Sequence, residues 1–196
     1  MMMSTQGGDS VIFTIGHSTH ALEEFVSLLR SHSIALVIDV RTISRSRHNP
    51  QFNGEQFAES LKRADIGYLH MSGLGGLRHA SRESMNTGWR NASFRGFADY
   101  MMTPEFENNL EMLIETARGN RAALMCAEAV PWRCHRSLIA DALLCRGIPV
   151  EHIMTATRRQ MHVLTPWAKV EGTRVIYPEV LKEQQTKQPV SRKSET

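Results

Sequence analysis

Ala122-Ala-Leu-Met-Cys126-Ala-Glu128-Ala-Val-Pro131-Trp-Arg133-Cys134-His135-Arg136-Ser-Leu-Ile139 is the stretch on which the fold turns. It opens on four apolar residues, a run short enough for a buried strand. It closes on Leu138 and Ile139, which with Ala142 and Leu143 are spaced as one face of a helix. Between them lie two thiols, a carboxylate, an imidazole and two guanidinium groups, Arg133 and Arg136. A strand that runs into a helix is half of a βαβ unit, and the chain on either side supplies more of the same.

Toward the N-terminus, residues 11–15 read as a buried strand ending at Gly16-His17-Ser18-Thr19. Leu22, Phe25, Val26, Leu28 and Leu29 then recur at helical spacing over 20–31, with Ser18 or Thr19 available as the N-cap. Residues 35–39 form a second apolar run ending at Asp39-Val40-Arg41. A polar loop follows over 42–53, then a helix over about 54–65 and a short strand over 66–70. The chain from there to Phe94 reads as irregular, apart from a glycine turn at 74–78. Phe97, Tyr100 and Met101 suggest a helix ending near 102. Thr103-Pro104-Glu105 then looks like an N-cap, a proline at the first helical position and an acid in the first turn. That helix runs to about 118, where Gly119 stops it.

Beyond the opening stretch, a helix covers about 134–146 and a fifth strand 150–154. Residues 163–164 and 175–177 fit short strands or wrapping segments. The pattern predicts an α/β fold in three layers, with a mainly parallel sheet flanked by helices. It places a single domain over 11–180, a flexible N-terminus over 1–10 and a mobile polar tail over 181–196.

In an open parallel sheet, ligands bind outside the carboxyl ends of the strands. The residues after each proposed strand are His17 and Ser18, then Asp39 and Arg41, then His70, then Cys126 and Glu128, then His152. Five separated motifs run in the same order: Gly16-His17-Ser18, Asp39-Val40-Arg41, Ser46-Arg47, Leu74-Gly75-Gly76 and Cys126-Ala127-Glu128…Cys134-His135-Arg136. This set resembles the domain-of-unknown-function family 488 over roughly residues 11–155. One departure is Thr42-Ile43-Ser44, where the family resemblance leads one to expect an aromatic residue and a proline. The resemblance implies an α/β fold in a cytosolic, bacterial-type protein and supplies no settled activity.

The residue types point to a chemistry. Cys126 at a strand exit, Glu128 and His17 are candidate catalytic groups, because a thiolate is a good nucleophile and the other two can move protons. Ser18, Asp39, Arg41, Arg47, Cys134, His135 and Arg136 are candidate binding groups. Exposed N–H groups at the first turn of the helix near Cys134 favour anions, and Arg136 would add a bidentate fork. Alternatives stand beside these roles. Arg136 can instead pair with Asp39 or Glu128, Ser18 can be a helix cap, and Cys126 a buried apolar residue. Arg41, Arg45, Arg47, Arg78, Arg82, Arg90 and Arg95 fit a basic wall for a phosphorylated ligand or nucleic acid, with Tyr68, Trp89, Phe94 and Trp132 able to stack bases. A cysteine-phosphatase loop is disfavoured, since its arginine would stand at position 132, which is Trp132.

The partner expected is an anionic small molecule or a nucleic acid. The function expected is an enzyme on such a substrate; the alternatives are a binding module without catalysis or a thiol redox or metal protein. No cofactor and no metal is expected, because the thiols are eight positions apart and no second pair exists. The three cysteines are an odd count and form no disulfide framework. A net charge of +3, 41% hydrophobic and 22% charged residues are ordinary for a globular protein. No apolar run approaches the roughly 18 residues of a membrane span, and the N-terminus lacks a signal-peptide pattern. The expectation is a cytoplasmic protein with no membrane partner and an unassigned oligomeric state.

Overall fold

The computed structural model describes residues 11–179. The expected flexible N-terminus and all of the expected tail lie outside the described residues. Five strands and five helices alternate much as the apolar periodicity predicts: β1 (Ile12–Gly16), α1 (Leu22–Ser31), β2 (Leu36–Asp39), α2 (Gly54–Lys62), β3 (Gly67–His70), α3 (Ala92–Tyr100), α4 (Pro104–Ala117), β4 (Ala122–Cys126), α5 (Arg136–Leu144) and β5 (Val150–Ile153). Three short strands follow: β6 (Arg159–Met161), β7 (Lys169–Glu171) and β8 (Arg174–Ile176). The main sheet has six strands in the order β3-β2-β4-β1-β5-β6. All its pairings are parallel except β5–β6, and β7–β8 form a separate antiparallel pair.

The central strand β4 shows why the sheet is buried on both sides. Ala122, Leu124 and Cys126 join one apolar cluster with Phe97, Leu110, Leu113, Leu138 and Leu143. Ala123 and Met125 join another with Phe25, Leu29, Phe52, Phe57 and Leu61. Alternate side chains point to opposite faces of a strand, so a continuous apolar run is what a doubly covered strand requires. The two clusters draw on α3, α4 and α5 in one case and on α1 and α2 in the other.

Several local expectations need correction. Helix α1 starts after Ala21, whose side chain cannot cap, and neither Ser18 nor Thr19 caps it. Ser18 instead adopts a left-handed backbone conformation, φ 46°, because the loop after β1 turns to lie along the loop after β4. The stretch read as irregular up to Phe94 is helical from Ala92, with the Asn91 side chain accepting from Ser93 N and Phe94 N as an N-cap. Of the two late segments, 163–164 is not a strand, whereas 174–176 is. Strand β6 carried no apolar signal because all three of its residues are exposed. The cap at Thr103 with Pro104 behind it is as expected: the Thr103 side chain accepts from Phe106 N.

Candidate functional site

The loops after β1, β2 and β4 meet at one end of the sheet. Gly16 stands opposite Cys126, and Asp39 opposite Met125, in the strand registers. His17 N donates to Cys126 O and Ser18 N to Ala127 O, both at 2.9 Å, so the first loop zips onto the third. Only glycine fits at position 16. A Cβ there would lie 2.0 Å from the carbonyl oxygen of Glu128.

A cleft of about 490 Å³ opens above this junction. Its floor holds Cys126, Cys134 and His135. Its walls include Ile43, Leu77 and Phe94, and Arg41, Arg45, Glu128 and Arg133 also line it. Cys134 precedes α5 and follows a single 3-10 turn, Pro131–Arg133, which folds the chain back toward β4. The two thiols, eight positions apart in the chain, are thereby brought to a common point. Cys126 Sγ, Cys134 Sγ and His135 Nδ1 all lie within 4.8 Å of one another. His135 Nδ1 is 3.6 Å from Cys134 Sγ and 4.0 Å from Cys126 Sγ.

The imidazole tautomer follows from its other side. His135 Nε2 is 3.1 Å from the carbonyl oxygen of Val40, which can only accept, so Nε2 is the donor and, in the neutral ring, Nδ1 turns a lone pair toward the sulfurs. The thiols are not equivalent. Cys126 is pushed up by donating a hydrogen bond to Cys134 and by burial. Cys134 is lowered by accepting that bond, against burial, with help from the charge and backbone N–H of Arg136. The first thiolate charge of the pair therefore belongs on Cys134, at the positive end of α5.

Beneath the cleft lies a second assembly. Arg41 is bidentate to the fully buried Asp39, with Nε 2.9 Å from Oδ1 and Nη2 2.6 Å from Oδ2. Tyr68 OH donates to the same carboxylate at 2.8 Å, and Arg41 Nη2 also donates to Phe52 O at 2.8 Å. Burial works against the charge of Arg41, but the hydrogen bonds and charge of Asp39 outweigh it and raise the guanidinium's pKa. His17 is 1% exposed and stacks on Phe52. Its Nδ1 donates to Ser18 O at 2.9 Å, which leaves Nε2 to accept from Arg41 Nη1 at 3.3 Å. Burial, and then the Arg41 charge, lower its pKa to about 4. His17 is therefore neutral near pH 7, with both ring nitrogens occupied.

The predicted site residues thus divide. Arg41, Cys126, Glu128, Cys134 and His135 line the cleft. His17 and Asp39 sit below it and hold Arg41. Arg47 is exposed, and neither it nor the half-buried Ser18 lines the cleft. Arg136 is 1% exposed and points inward. It makes neither of the carboxylate pairs expected as alternatives. Instead its Nη2 donates to the backbone carbonyls of Glu128 at 2.7 Å and Ala129 at 3.3 Å, pinning the loop. Glu128 itself is exposed, and its carboxylate accepts from Val130 N at 3.2 Å. Arg45, which the sequence places in a basic wall, and Arg133 are the exposed cleft arginines; among the described residues neither makes an ion pair. Their position next to the Asp-Val-Arg and Cys-His-Arg motifs was the available signal.

Cys126, Cys134 and His135 are also the described residues placed to hold a metal ion, by atom type and spacing. Among the described residues no helix is long and apolar enough to cross a membrane. Comparisons with curated proteins and with solved structures each found no match. The family model described as domain of unknown function DUF488 matches residues 21–143, more than half of the chain, and the protein belongs to that family.

Proposed function

We propose that the protein is an enzyme acting on an anionic substrate, phosphorylated or nucleotide-like, held in the cleft above Cys126, Cys134 and His135. The observation that carries this reading is the meeting of two thiols and an imidazole on the floor of a cleft whose exposed arginines, Arg45 and Arg133, have no carboxylate partner among the described residues. The arginines attract and fork the anion. The apolar walls at Ile43, Leu77 and Phe94 suit a flat body such as a base. The sulfur–imidazole cluster is the reacting centre, and Glu128 at the rim is the group that relays protons. Asp39, His17 and Tyr68 act through Arg41, which they hold in place. Arg136 acts through the backbone of the Cys-Ala-Glu loop.

The rival is a binding module. Arginines and apolar walls suffice for that, and the thiol–imidazole cluster is the feature it leaves without a role. The test is a melting-temperature screen with phosphate and with nucleoside mono-, di- and triphosphates. A ligand at about a hundred times its Kd adds roughly 2.7 kcal/mol. The shift should vanish in the Arg45→Ala/Arg133→Ala double variant. Ligands that shift the protein are then incubated with it, and products are read by mass spectrometry. Conversion that is lost in Cys134→Ser while the shift persists supports an enzyme. A shift with no conversion of any ligand supports the binding module. No shift with any anion removes the reading of the cleft.

A further inference from the structure

We propose that Cys126, Cys134 and His135 are a three-ligand site for a soft divalent metal ion of the zinc type, with the remaining coordination position open to the cleft. This rests on the reading of the cleft floor as the reacting centre, and it names what that centre holds.

The first argument is distance. Zinc takes thiolate sulfur at about 2.3 Å and imidazole nitrogen at about 2.0–2.1 Å, so neighbouring ligand atoms in a tetrahedral shell lie roughly 3.5–3.8 Å apart. Here the two sulfur–nitrogen separations are 3.6 and 4.0 Å, and all three atoms lie within 4.8 Å of one another. Shifts of no more than about 1 Å would close the shell on an ion. Two sulfurs and one nitrogen are also the donor set that selects zinc over magnesium or calcium.

The second argument is the ring. A metal-bound histidine typically donates its other N–H to a carbonyl or carboxylate, which sets the tautomer and the ring plane. His135 does this through Nε2 to Val40 O at 3.1 Å. The lone pair of Nδ1 is thereby committed to the side where the sulfurs are. Phe97 packs edge-on against the ring at 5.0 Å between centroids. Gly76 lies over the same ring: a Cβ at that position would stand 2.6 Å from Nδ1. The imidazole is held from several sides, as a preformed ligand is.

The third argument is the open side. All three residues line the cleft, and no fourth Cys, His, Asp or Glu joins the group among the described residues. A shell with three protein ligands and one free position is the catalytic type of zinc site, whereas structural sites are closed by four. The free position faces the space in which Arg45 and Arg133 would hold an anion.

The experiment uses the full chain, reduced and stripped with a chelator, titrated with Co2+ and then with Zn2+. The expected result is one equivalent of Co2+, absorbing with the sulfur-to-metal charge-transfer band of thiolate ligation and displaced by Zn2+. Cys126→Ser and Cys134→Ser should each weaken binding beyond the 10–100-fold typical of losing an outer-shell partner. Cys145→Ser, at a thiol outside the group, should change nothing. Gly76→Ala keeps all three ligands and should still weaken binding, because it displaces the ring. Absence of a one-to-one complex in the wild type overturns the inference. So does a complex without the sulfur band, or one whose affinity is unchanged in a folded Cys126→Ser protein. The phosphate and nucleotide melting screen is run on the same stripped protein. A shift without metal binding leaves the proposed function standing and removes the metal. Metal binding without any anion shift does the reverse.

Discussion

Two clusters of titratable side chains adjoin α5, one centred on Asp141 within it and one just before its start, and they differ in whether their hydrogen-bonding capacity is used up. In the first, Asp141 is fully buried and accepts from His162 Nε2 at 2.8 Å, Thr165 N at 3.0 Å, Thr165 Oγ1 at 2.7 Å and Tyr177 OH at 2.8 Å. Since His162 Nε2 donates to the carboxylate, its Nδ1 accepts from His152 Nε2 at 3.1 Å. His152 Nδ1 then accepts from Thr14 Oγ1 at 2.8 Å. Each ring nitrogen has one partner and each role is determined by the one before it. The second cluster is Cys126, Cys134 and His135. There one ring nitrogen is satisfied by Val40, while the other shares its lone pair between two sulfurs at long range. A saturated cluster ties β1, β5, α5 and the chain around 162–177 together and has nothing left to offer a ligand. An unsaturated one at a cleft floor contributes less to stability and keeps its capacity for chemistry. Histidine counts alone would have ranked the first cluster above the second.

The largest break in this contrast should come from Asp141→Ala. It strands buried donors on His162, Thr165 and Tyr177, each costing about 1–3 kcal/mol when unpaired. A total loss of at least about 4 kcal/mol is expected in urea unfolding at pH 7. A loss below about 1.5 kcal/mol would mean that the saturated cluster is not a stabilising unit.

The next effect is on pH dependence. Burial, the neighbouring His162 and the Arg136 charge lower the His152 pKa to about 3, with Asp141 opposing. The folded pKa lies below the unfolded value of 6.5. The unfolded chain therefore binds a proton below pH 6.5 that the folded chain refuses. The stability this group confers is complete above pH 6.5 and is lost as pH falls toward 3. Between pH 6 and pH 4 its contribution should fall by up to about 1.4 kcal/mol per pH unit. Carboxylates add to the slope at the acid end, so the quantity to measure is the difference in slope between wild type and His152→Gln. Equal slopes would place a charged His152 in the folded protein.

A smaller stability effect should accompany a larger chemical one at His135. His135→Ala removes the bond to Val40 O and should cost about 1 kcal/mol. The same variant should lose Co2+ binding and any conversion of an anionic ligand. A cost near that of Asp141→Ala, with chemistry intact, would reverse the assignment of the two clusters. The smallest stability change belongs to Arg133→Ala. This side chain is exposed and without an ion pair among the described residues, so urea unfolding should move by no more than about 0.5 kcal/mol. Its signature is a reduced phosphate- or nucleotide-induced melting shift at unchanged stability, and an undiminished shift would take Arg133 out of the anion's path.

The order of strands and helices was legible in the chain because apolar periodicity reports burial one element at a time. The Cys126…Cys134-His135 grouping was legible for a related reason: a strand, a short loop and a helix start keep those residues close by local geometry alone. Other features join residues far apart in sequence, and no local pattern carries them. His152 meets Thr14 across 138 positions, and His135 meets Val40 across 95. Tyr177, which closes on Asp141, lies in a segment with almost no periodic signal. Arg136 was read as an anion holder because charge at a helix start favours anions. Tertiary packing turned it inward to the Glu128 carbonyl instead. His17 read as a proton carrier at a strand exit, and packing on Phe52 beside Arg41 made it a neutral support. By itself, then, the sequence determined which elements form and which reactive residue types stand at the strand exits. Only the tertiary structure decided which of those side chains face the cleft and which are consumed beneath it, because burial and hydrogen-bond partners are properties of neighbours that the chain brings together only by folding.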